Sequence, residues 1–321
     1  PTSASQHLTV PHALYSPEFA MKTRVKVRVP ATTANMGPGF DCLGMALDIW
    51  NTVEVKVGAL GFEITGHGHD SLPQDSTNLI HRSIVRIFDE LDKAVPEFHL
   101  TCHNDIHLTG GLGSSSAALV GGLVAGNSLC DGAIPEDDLL QIASEIEGHP
   151  DNVTPALLGG FQIAVKRHGR VIAAAVPTPD DLAAVLFVPN VAMPTSEARG
   201  ILKPEVSRAD AVYNIGRAAL LVRAFATGDL AHLEAATDDR LHQPQRQSIF
   251  FPMKNLFRAA MDAGALGVFL SGAGSAVLAL TRDREYTIGY EMADAAAKSG
   301  LDGEIIVTKP SQQGANIVEF S

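Results

Sequence analysis

The chain has 321 residues, of which 45% are hydrophobic and 19% charged, as is typical of a globular protein large enough for about two domains. Its formal net charge of −12 disfavours nucleic acid and anionic membranes as binding partners. No apolar run is long enough to cross a bilayer, and three scattered cysteines predict neither a disulfide framework nor a zinc site. We therefore expect a cytoplasmic protein.

The first forty residues predict an arm, a strand and a loop. Residues 1–20 contain three prolines and no periodic pattern, so we expect a loose arm. Basic and apolar residues alternate over 24–29, which predicts a half-buried strand. The prolines and glycines of residues 30–41 argue against regular structure. Because this segment carries Asn35 and Asp41, we interpret it as a site loop.

Three regular elements are predicted before the centre of the chain. Residues 48–57 resume the strand pattern, and apolar residues recur at helical spacing over 78–91. Residues 98–108 alternate again and predict a strand whose histidines face outward. Histidines four apart on a strand lie ~13 Å from each other, which is too far to share one metal ion. We therefore do not interpret these histidines as a metal site.

The most informative stretch covers residues 110–127 and reads GGLGSSSAALVGGLVAGN. Its serines can cap a helix, its glycines let the backbone approach a ligand, and a helix N-terminus attracts phosphate. The same composition also occurs in ordinary loops and linkers, and both the P-loop lysine and a G-x-G-x-x-G fingerprint are missing. Gly121 and Gly122 predict a close packing partner, because each costs up to ~1 kcal/mol in a helix relative to alanine.

A second polar group lies near the middle of the chain. A helix is predicted to begin at Pro135, and residues 149–152, His-Pro-Asp-Asn, follow its end. These four residues have the chemistry of a polar-substrate site, but taken alone the segment is more simply explained by an Asx turn started by Asp151. Segments 161–165 and 171–176 then predict a hairpin.

The acidic, proline-flanked residues 177–181 are the predicted domain boundary, which divides the chain into domains at 21–177 and 178–321. Strands and helices alternate beyond it, which predicts an α+β domain of the ferredoxin-like type. The strands are predicted at 183–188, 267–270, 276–280, 304–308 and 316–320, the helices at 209–226, 229–240, 252–263 and 284–298, and a basic polar loop at 241–246.

Three stretches together resemble the GHMP kinase superfamily. VPATTANMGPGFDCLGMAL looks like its first motif, GGLGSSSAALVGGL like its second and SGAGSAVLAL like its third. EGHPDNVTPALLGGF and TSEARGILKPEVSRADAVYNIGRAALL are similar to segments of the homoserine kinases within it. The matches run in the correct order from about residue 25 to residue 318. They imply an α+β fold with a ribosomal-protein-S5-like N-terminal domain, a ferredoxin-like C-terminal domain and an active site between them.

The resemblance also implies an activity and its residues. The reaction is ATP-dependent phosphorylation of the side-chain hydroxyl of L-homoserine, in threonine biosynthesis, by a magnesium-dependent cytoplasmic homodimer. Catalytic and substrate-contacting residues are expected at Asn35, Asp41, His149 and Asp151, with Thr195, Arg199 and Arg246 holding the amino acid. The nucleotide is expected at His107, Leu108, Thr109, Gly110, Gly111, Leu112, Gly113, Ser114, Ser115, Ser116 and Ala117, with Gly272 and Gly274 from the third motif.

The expected metal ligands are less completely matched. Ser115 matches the serine whose hydroxyl meets the metal, but Gln141 stands where the family often has its magnesium-binding glutamate. Glu145, one turn further on the same helix face, is the first candidate to replace it, and Glu147 is the second.

Two departures leave room for other functions. His107 and Gly110 stand where the family usually has proline and arginine, which removes one positive charge near the phosphates. The rival hypotheses are another small-alcohol kinase of the superfamily, such as a mevalonate-type enzyme, and a catalytically silent nucleotide-binding protein.

Overall fold

The computed structural model describes residues 22–108, 110–191 and 193–321, and the arm predicted for 1–20 lies outside these ranges. The first half of the described chain contains β1 (Arg24–Ala34), β2 (Leu43–Val57), β3 (Gly61–Gly66), α1 (Leu79–Glu90), β4 (Phe98–Asn104), α2 (Ser114–Leu129), α3 (Glu136–Glu147), α4 (Pro150–Leu158), β5 (Phe161–Arg167) and β6 (Arg170–Val176). The second half contains β7 (Ala183–Pro189), α5 (Thr195–Gly200), α6 (Arg208–Thr227), α7 (Leu233–Ala236), α8 (Gln243–Arg246), α9 (Met253–Asp262), β8 (Gly267–Leu270), β9 (Val277–Thr281), α10 (Glu285–Lys298), β10 (Gly303–Thr308) and β11 (Asn316–Phe320).

The first sheet has seven strands, in the order β11-β1-β2-β4-β3, with β5 pairing with β2 and β6 with β5. β2 is 15 residues long, so its C-terminal half pairs with β4 while its N-terminal end pairs with β5. The predicted hairpin of β5 and β6 is confirmed. β11 is present as predicted, but it pairs with β1 and therefore completes the first sheet from the far end of the chain.

The first strand is longer than its sequence pattern predicts. β1 continues through Pro30 to Ala34, where irregular structure was expected, and its register against β2 shifts between Pro30 and Ala31. A proline is tolerated there because a register irregularity does not need the N–H that proline lacks. The loop that follows holds Asn35 and Asp41 at φ values of 64° and 57°, in the left-handed region that asparagine and aspartate adopt readily.

Helix α2 packs closely against its neighbours, as its internal glycines predict. A Cβ atom on Gly122 would lie 2.6 Å from the carbonyl oxygen of Ile80 and 2.6 Å from Cβ of Ser83, both in α1. Gly121 faces the sheet, where a Cβ would lie 3.0 Å from Val53. The two glycines therefore permit a helix-to-helix contact on one side and a helix-to-sheet contact on the other, and this packing holds the start of α2 in place.

The second sheet confirms the ferredoxin-like prediction. Its elements follow in the order β7, α9, β8, β9, α10 and β10, and its strands lie in the order β10-β7-β9-β8 with every neighbouring pair antiparallel. Inserted between β7 and α9 are the helices α5 to α8. The helix predicted over 229–240 shrinks to the single turn of α7, and the loop predicted over 241–246 contains α8.

The two sheets share a hydrophobic core. Ala184, Leu186 and Val188 of β7 belong to the core of the first sheet, whereas Val185 and Phe187 pack in a second core with residues of α9 and α10. This alternation follows from the period of two along a strand. One face of the second sheet therefore lies against the first domain. None of the described helices is both long and apolar enough to span a membrane.

Candidate active site

A cavity of about 350 Å³ lies where the glycine-rich stretch, the end of α3, the α5 segment and the third motif meet. It is lined by Asn35, Leu108, Gly110, Gly111, Leu112, Gly113, Ser114, Ser115, Ser116, Ile146, Glu147, His149, Asp151, Asn152, Met193, Pro194, Thr195, Arg199, Arg246, Gly272, Ala273 and Gly274. Residues from six separate parts of the sequence thus line one cavity, and most of the predicted site residues are among them.

The start of α2 is open toward this cavity. The N-cap is Gly113, at φ 69°, and no side chain caps the helix, so the expected serine cap is wrong. A Cβ at this position would lie 1.9 Å from Oγ1 of Thr32, which explains why glycine stands there. The first backbone bond to the cap is donated by Ala117 N to Gly113 O (2.8 Å). The N–H groups of residues 114–116 therefore have no partner within the helix, the arrangement that binds anions.

Backbone hydrogen bonds hold the glycine-rich loop between the other two motifs. Thr32 N donates to Leu112 O (3.0 Å), which joins the loop to β1. Ala276 N donates to Gly110 O (3.1 Å), which joins it to the third motif. The shape of the loop is therefore set by β1 and by the residue that precedes β9, which are distant in sequence, so the free N–H groups have a defined direction.

A carboxylate from the end of α3 lies against the first turn of α2. Ser116 Oγ donates to Glu147 Oε1 (2.8 Å), and Ser115 Oγ lies 3.4 Å from Oε2. Glu145 is exposed and does not line the cavity, because residues two apart in a helix point about 200° away from each other. Gln141, on the face of Glu145, instead exchanges hydrogen bonds with the backbone of β6. The structure therefore places Glu147, not Glu145, beside Ser115.

The His-Pro-Asp-Asn segment forms the start of α4 and not an isolated turn, with His149 as N-cap and Pro150 in the first turn. His149 Nδ1 lies 2.7 Å from Oδ1 of Asp151, whose side chain is only 2% exposed. Burial lowers the pKa of His149, but the hydrogen bond and charge of Asp151 together raise it above the ordinary value. Asn152 Oδ1 accepts a hydrogen bond from Thr32 Oγ1 (2.8 Å). The pair favours a protonated imidazole at the cavity wall.

A fork-to-fork ion pair connects the first-motif loop to α5. Arg199 Nη1 and Nη2 donate to the two carboxylate oxygens of Asp41 at 3.0 and 2.6 Å. This hydrogen-bonded pair raises the pKa of Arg199. Asn35 Oδ1 accepts from Asp41 N (3.0 Å), and its Nδ2 donates to Gly272 O (2.8 Å). Asp41 itself does not line the cavity, so it affects the site indirectly, by binding Arg199, which does line it.

Arg246 is the most buried cation of the site, with 1% of its surface exposed. No carboxylate of the described residues lies within 4.0 Å of its guanidinium, and Nη1 donates to Gly272 O (2.9 Å). Burial, followed by the charge of Arg199, lowers its pKa to about 10, so it remains charged at neutral pH. A buried guanidinium without an acidic partner is suited to an anionic ligand.

The remaining predicted nucleotide residues divide into three groups. Leu108 lines both this cavity and a neighbouring one of about 270 Å³. His107 and His67 also line the second cavity, with their ring centroids 3.9 Å apart and their planes tilted by 36°. Ala117 is fully buried within α2, so its side chain does not reach the cavity. Thr109 lies outside the described residues.

Several cavity residues were not predicted from the sequence. Asn152 belongs to the His-Pro-Asp-Asn segment that the sequence indicated as a whole but was not assigned a role, and Ala273 lies between the predicted Gly272 and Gly274. Ile146, Met193 and Pro194 carry no chemical signal and line the cavity through packing alone.

Comparison with known proteins agrees with this architecture. The family described as GHMP kinases N terminal domain matches residues 78–160, and that described as GHMP kinases C terminal matches residues 221–297. A homoserine kinase of Desulfitobacterium hafniense is 42% identical over 297 residues, covering 92% of this chain and 100% of that protein. A homoserine kinase of Moorella thermoacetica is 39% identical, covering 91% and 99%.

A solved structure shows the same arrangement. The crystal structure of homoserine kinase from Cytophaga hutchinsonii matches with a TM-score of 0.84 and 31% identity, over 93% of this chain and 98% of that one. The two-domain fold and the motif-lined cavity define the class as a GHMP kinase, an enzyme that transfers phosphate to a hydroxyl group. Within that class the chain belongs to the homoserine kinase family.

Proposed function

We propose that this protein transfers the γ-phosphoryl group of ATP to the side-chain hydroxyl of L-homoserine, giving O-phospho-L-homoserine for threonine biosynthesis. The observation that supports the proposal is that a single cavity is lined by groups suited to both substrates. This cavity combines an open helix N-terminus, which suits phosphate, with a buried guanidinium that has no carboxylate of the described residues within 4.0 Å, which suits the carboxylate of an amino acid.

The triphosphate is assigned to the first turn of α2. Residues 114–116, whose N–H groups have no partner within the helix, line the cavity, and these groups act locally although the net charge of the chain is −12. Gly110 supplies no side-chain cation here, so binding depends on these backbone groups. The cavity that His107 and Leu108 line adjoins this site, since Leu108 lines both cavities, which supports the assignment of these residues to the nucleotide.

The oxygen donors beside the phosphate site fit a magnesium ion. Ser115 and Glu147 would hold it, because Mg²⁺ prefers oxygen ligands and is usually bound by one or two protein groups together with substrate phosphates. The described residues contain no cluster of three histidine, cysteine or acidic side chains that could hold a metal alone, which is consistent with such a shared site. When bound, magnesium neutralises charge on the phosphates.

The amino acid is assigned to a second group of cavity side chains, Arg246, Asp151 and Thr195. Arg246 is the better partner for its carboxylate, because both terminal nitrogens of Arg199 already bind Asp41. Asp151 would accept its ammonium group, and Thr195 lines the same cavity. These contacts would hold the side-chain hydroxyl toward the phosphate end of the cavity.

Catalysis in this arrangement depends mainly on how the two substrates are positioned relative to each other. Phosphoryl transfer has a loose transition state and asks little covalent chemistry of the protein, so a strong base is not required. Asp151, whose Oδ1 lies 2.7 Å from Nδ1, raises the pKa of His149. When the ring carries its second proton, it would stabilise developing negative charge at the cavity wall.

A coupled assay of ADP release with homoserine, mevalonate and galactose in parallel tests the function. We expect turnover with homoserine and only background with the other two acceptors. A preference for mevalonate would establish the mevalonate-type alternative. ATP binding without turnover on any acceptor would establish a silent nucleotide-binding protein.

Replacement of Arg246 tests the assignment of the amino acid. Arg246→Leu should raise the homoserine KM roughly 10- to 100-fold, because a hydrogen bond to a charged group contributes about 1.5–3 kcal/mol. The ATP KM should change far less. Arg258→Leu, an exposed arginine outside this cavity, is the matched control. Equal changes in both KM values would contradict the assignment.

We also propose a cytoplasmic homodimer that requires magnesium, as the family resemblance implies. Sedimentation velocity would report twice the 33.9 kDa chain mass for a dimer.

A further inference from the structure

The orientation of Arg246 depends on few contacts. Nη1 lies 2.9 Å from Gly272 O and 2.9 Å from Nδ1 of His242, so both of its hydrogens have acceptors. Nε lies 3.4 Å from Ala198 O. Nη2 has no hydrogen-bond partner among the described residues, which leaves this nitrogen as the donor available to a ligand in the cavity.

His242 can satisfy its surroundings only as a neutral ring. Its Nε2 lies 2.8 Å from Gly37 O, an acceptor, so Nε2 must carry a hydrogen. Its Nδ1 faces Nη1 of Arg246, which can only donate, so Nδ1 must present its lone pair. Protonation of Nδ1 would place two N–H donors, one on His242 and one on Arg246, opposite each other and would put a second positive charge beside the guanidinium.

The environment of His242 agrees with this tautomer. The side chain is fully buried, and burial followed by the charge of Arg246 lowers its pKa to about 4, although Asp239 acts in the opposite direction. Asp239 Oδ2 lies 3.6 Å from Nε2, too far for a hydrogen bond, but accepts the backbone N–H groups of His242 (2.9 Å) and Gln243 (2.7 Å). It therefore fixes the residue at the start of α8, four residues before Arg246.

We propose that His242 is a positioning residue for Arg246. By accepting a hydrogen bond from Nη1, it fixes the plane of the guanidinium so that Nη2 faces the carboxylate of the substrate. The part of this statement that concerns the carboxylate rests on the proposed function. His242 itself does not line the cavity and does not act on the reacting atoms.

Isosteric variants separate this role from a merely structural one. In His242→Asn the amide oxygen can replace Nδ1 as acceptor, whereas in His242→Gln the amide nitrogen can replace Nε2 as donor to Gly37. We expect Gln to raise the homoserine KM roughly tenfold or more while the ATP KM stays unchanged, since a charged hydrogen bond is lost. We expect His242→Asn to keep the homoserine KM close to the wild-type value, because it retains the acceptor for Nη1 of Arg246. Near-normal Gln with impaired Asn would overturn the proposal.

A double-mutant cycle tests the route of the effect. If His242 acts through Arg246, then His242→Gln should change the homoserine KM less than twofold in an Arg246→Leu background. Independent, multiplicative effects would contradict the proposal.

Nitrogen-15 spectra give a readout that needs no turnover. The wild-type His242 ring should show the neutral Nε2–H tautomer, and the Arg246 Nη signals should shift in His242→Gln but much less in His242→Asn. Unchanged Arg246 signals in His242→Gln would refute the positioning role. Absence of homoserine turnover in the wild-type enzyme would instead refute the proposed function, while these spectra would still decide the orientation of Arg246.

Discussion

Replacing Glu147 with glutamine is the sharpest test of the magnesium site, because the chain supplies its own control in Glu145. Glu147 contacts the hydroxyls of Ser115 and Ser116, whereas Glu145 is exposed on another face of α3 and does not line the cavity. Glutamine keeps the shape of the side chain and one oxygen acceptor for Ser116 but removes the negative charge. The change therefore acts on metal binding with little effect on packing.

The expected magnitude follows from the position of the charge. For scale, two unit charges 4 Å apart in a medium of effective dielectric constant near 20 attract each other by about 4 kcal/mol before desolvation. Because desolvation offsets much of this term, we expect the magnesium concentration for half-maximal rate to rise by at least roughly 10- to 100-fold, since loss of a residue that only orients a metal ligand already has an effect of that size. Glu145→Gln should change it about threefold or less, because exposed charges are screened by salt.

The assay is the initial rate of ADP release against free magnesium, at fixed ATP and homoserine, for wild type and both variants. Urea unfolding would check that all three proteins are folded to the same degree. A magnesium dependence of Glu147→Gln equal to that of wild type would remove Glu147 from the metal site. A larger shift in Glu145→Gln would reinstate the sequence-based choice of ligand.

Two further predictions concern stability and ionisation. Gly122→Ala should destabilise the fold by about 1–3 kcal/mol, because a Cβ there would lie 2.6 Å from atoms of α1. Gly216→Ala in α6, where a Cβ would have no neighbour within 4 Å, should stabilise the fold by about 0.4–1 kcal/mol. Chemical denaturation measures both free energies of unfolding, and equal changes would contradict the packing argument. Asp151→Asn should lower the pKa of His149, measured by NMR titration, because Asp151 is the group that raises it. Since that folded-state pKa is raised, stabilisation by the charged pair is present below the ordinary histidine pKa of about 6.5 and is lost as pH rises through the folded-state value. The free energy of unfolding of wild type should therefore exceed that of Asp151→Asn by less as the pH rises through this range. An excess that increases with pH would refute the assignment.

The elements with a strong local pattern were predictable, and those that depend on distant partners were not. α1, α10 and the β5–β6 hairpin lie close to their predicted ranges, because hydrophobic periodicity and turn residues act over a few positions. The predicted helix at 229–240 is mostly irregular, although its composition favours a helix. Packing against the rest of the fold overrides such weak propensities.

The candidate site shows the same division. The glycine-rich stretch and the His-Pro-Asp-Asn segment could be selected by residue type, and the two arginines by the family resemblance; most of these residues line the cavity. The sequence could not choose between Glu145 and Glu147, because both lie near the end of the same helix. That choice depends on which face of α3 meets the first turn of α2, about thirty residues away in the chain.

The sequence by itself determined that residues 110–127 form a glycine-rich loop followed by a helix, since glycine conformational freedom and apolar content are local properties. Only the tertiary structure decided that Gly113 is the cap, that Thr32 leaves no space for a side chain there and that Glu147 faces the serines. It also decided the pairing of Asp41 with Arg199 across 158 positions and of β11 with β1. Such contacts join segments whose local patterns are independent, so only the packing of the complete chain selects them.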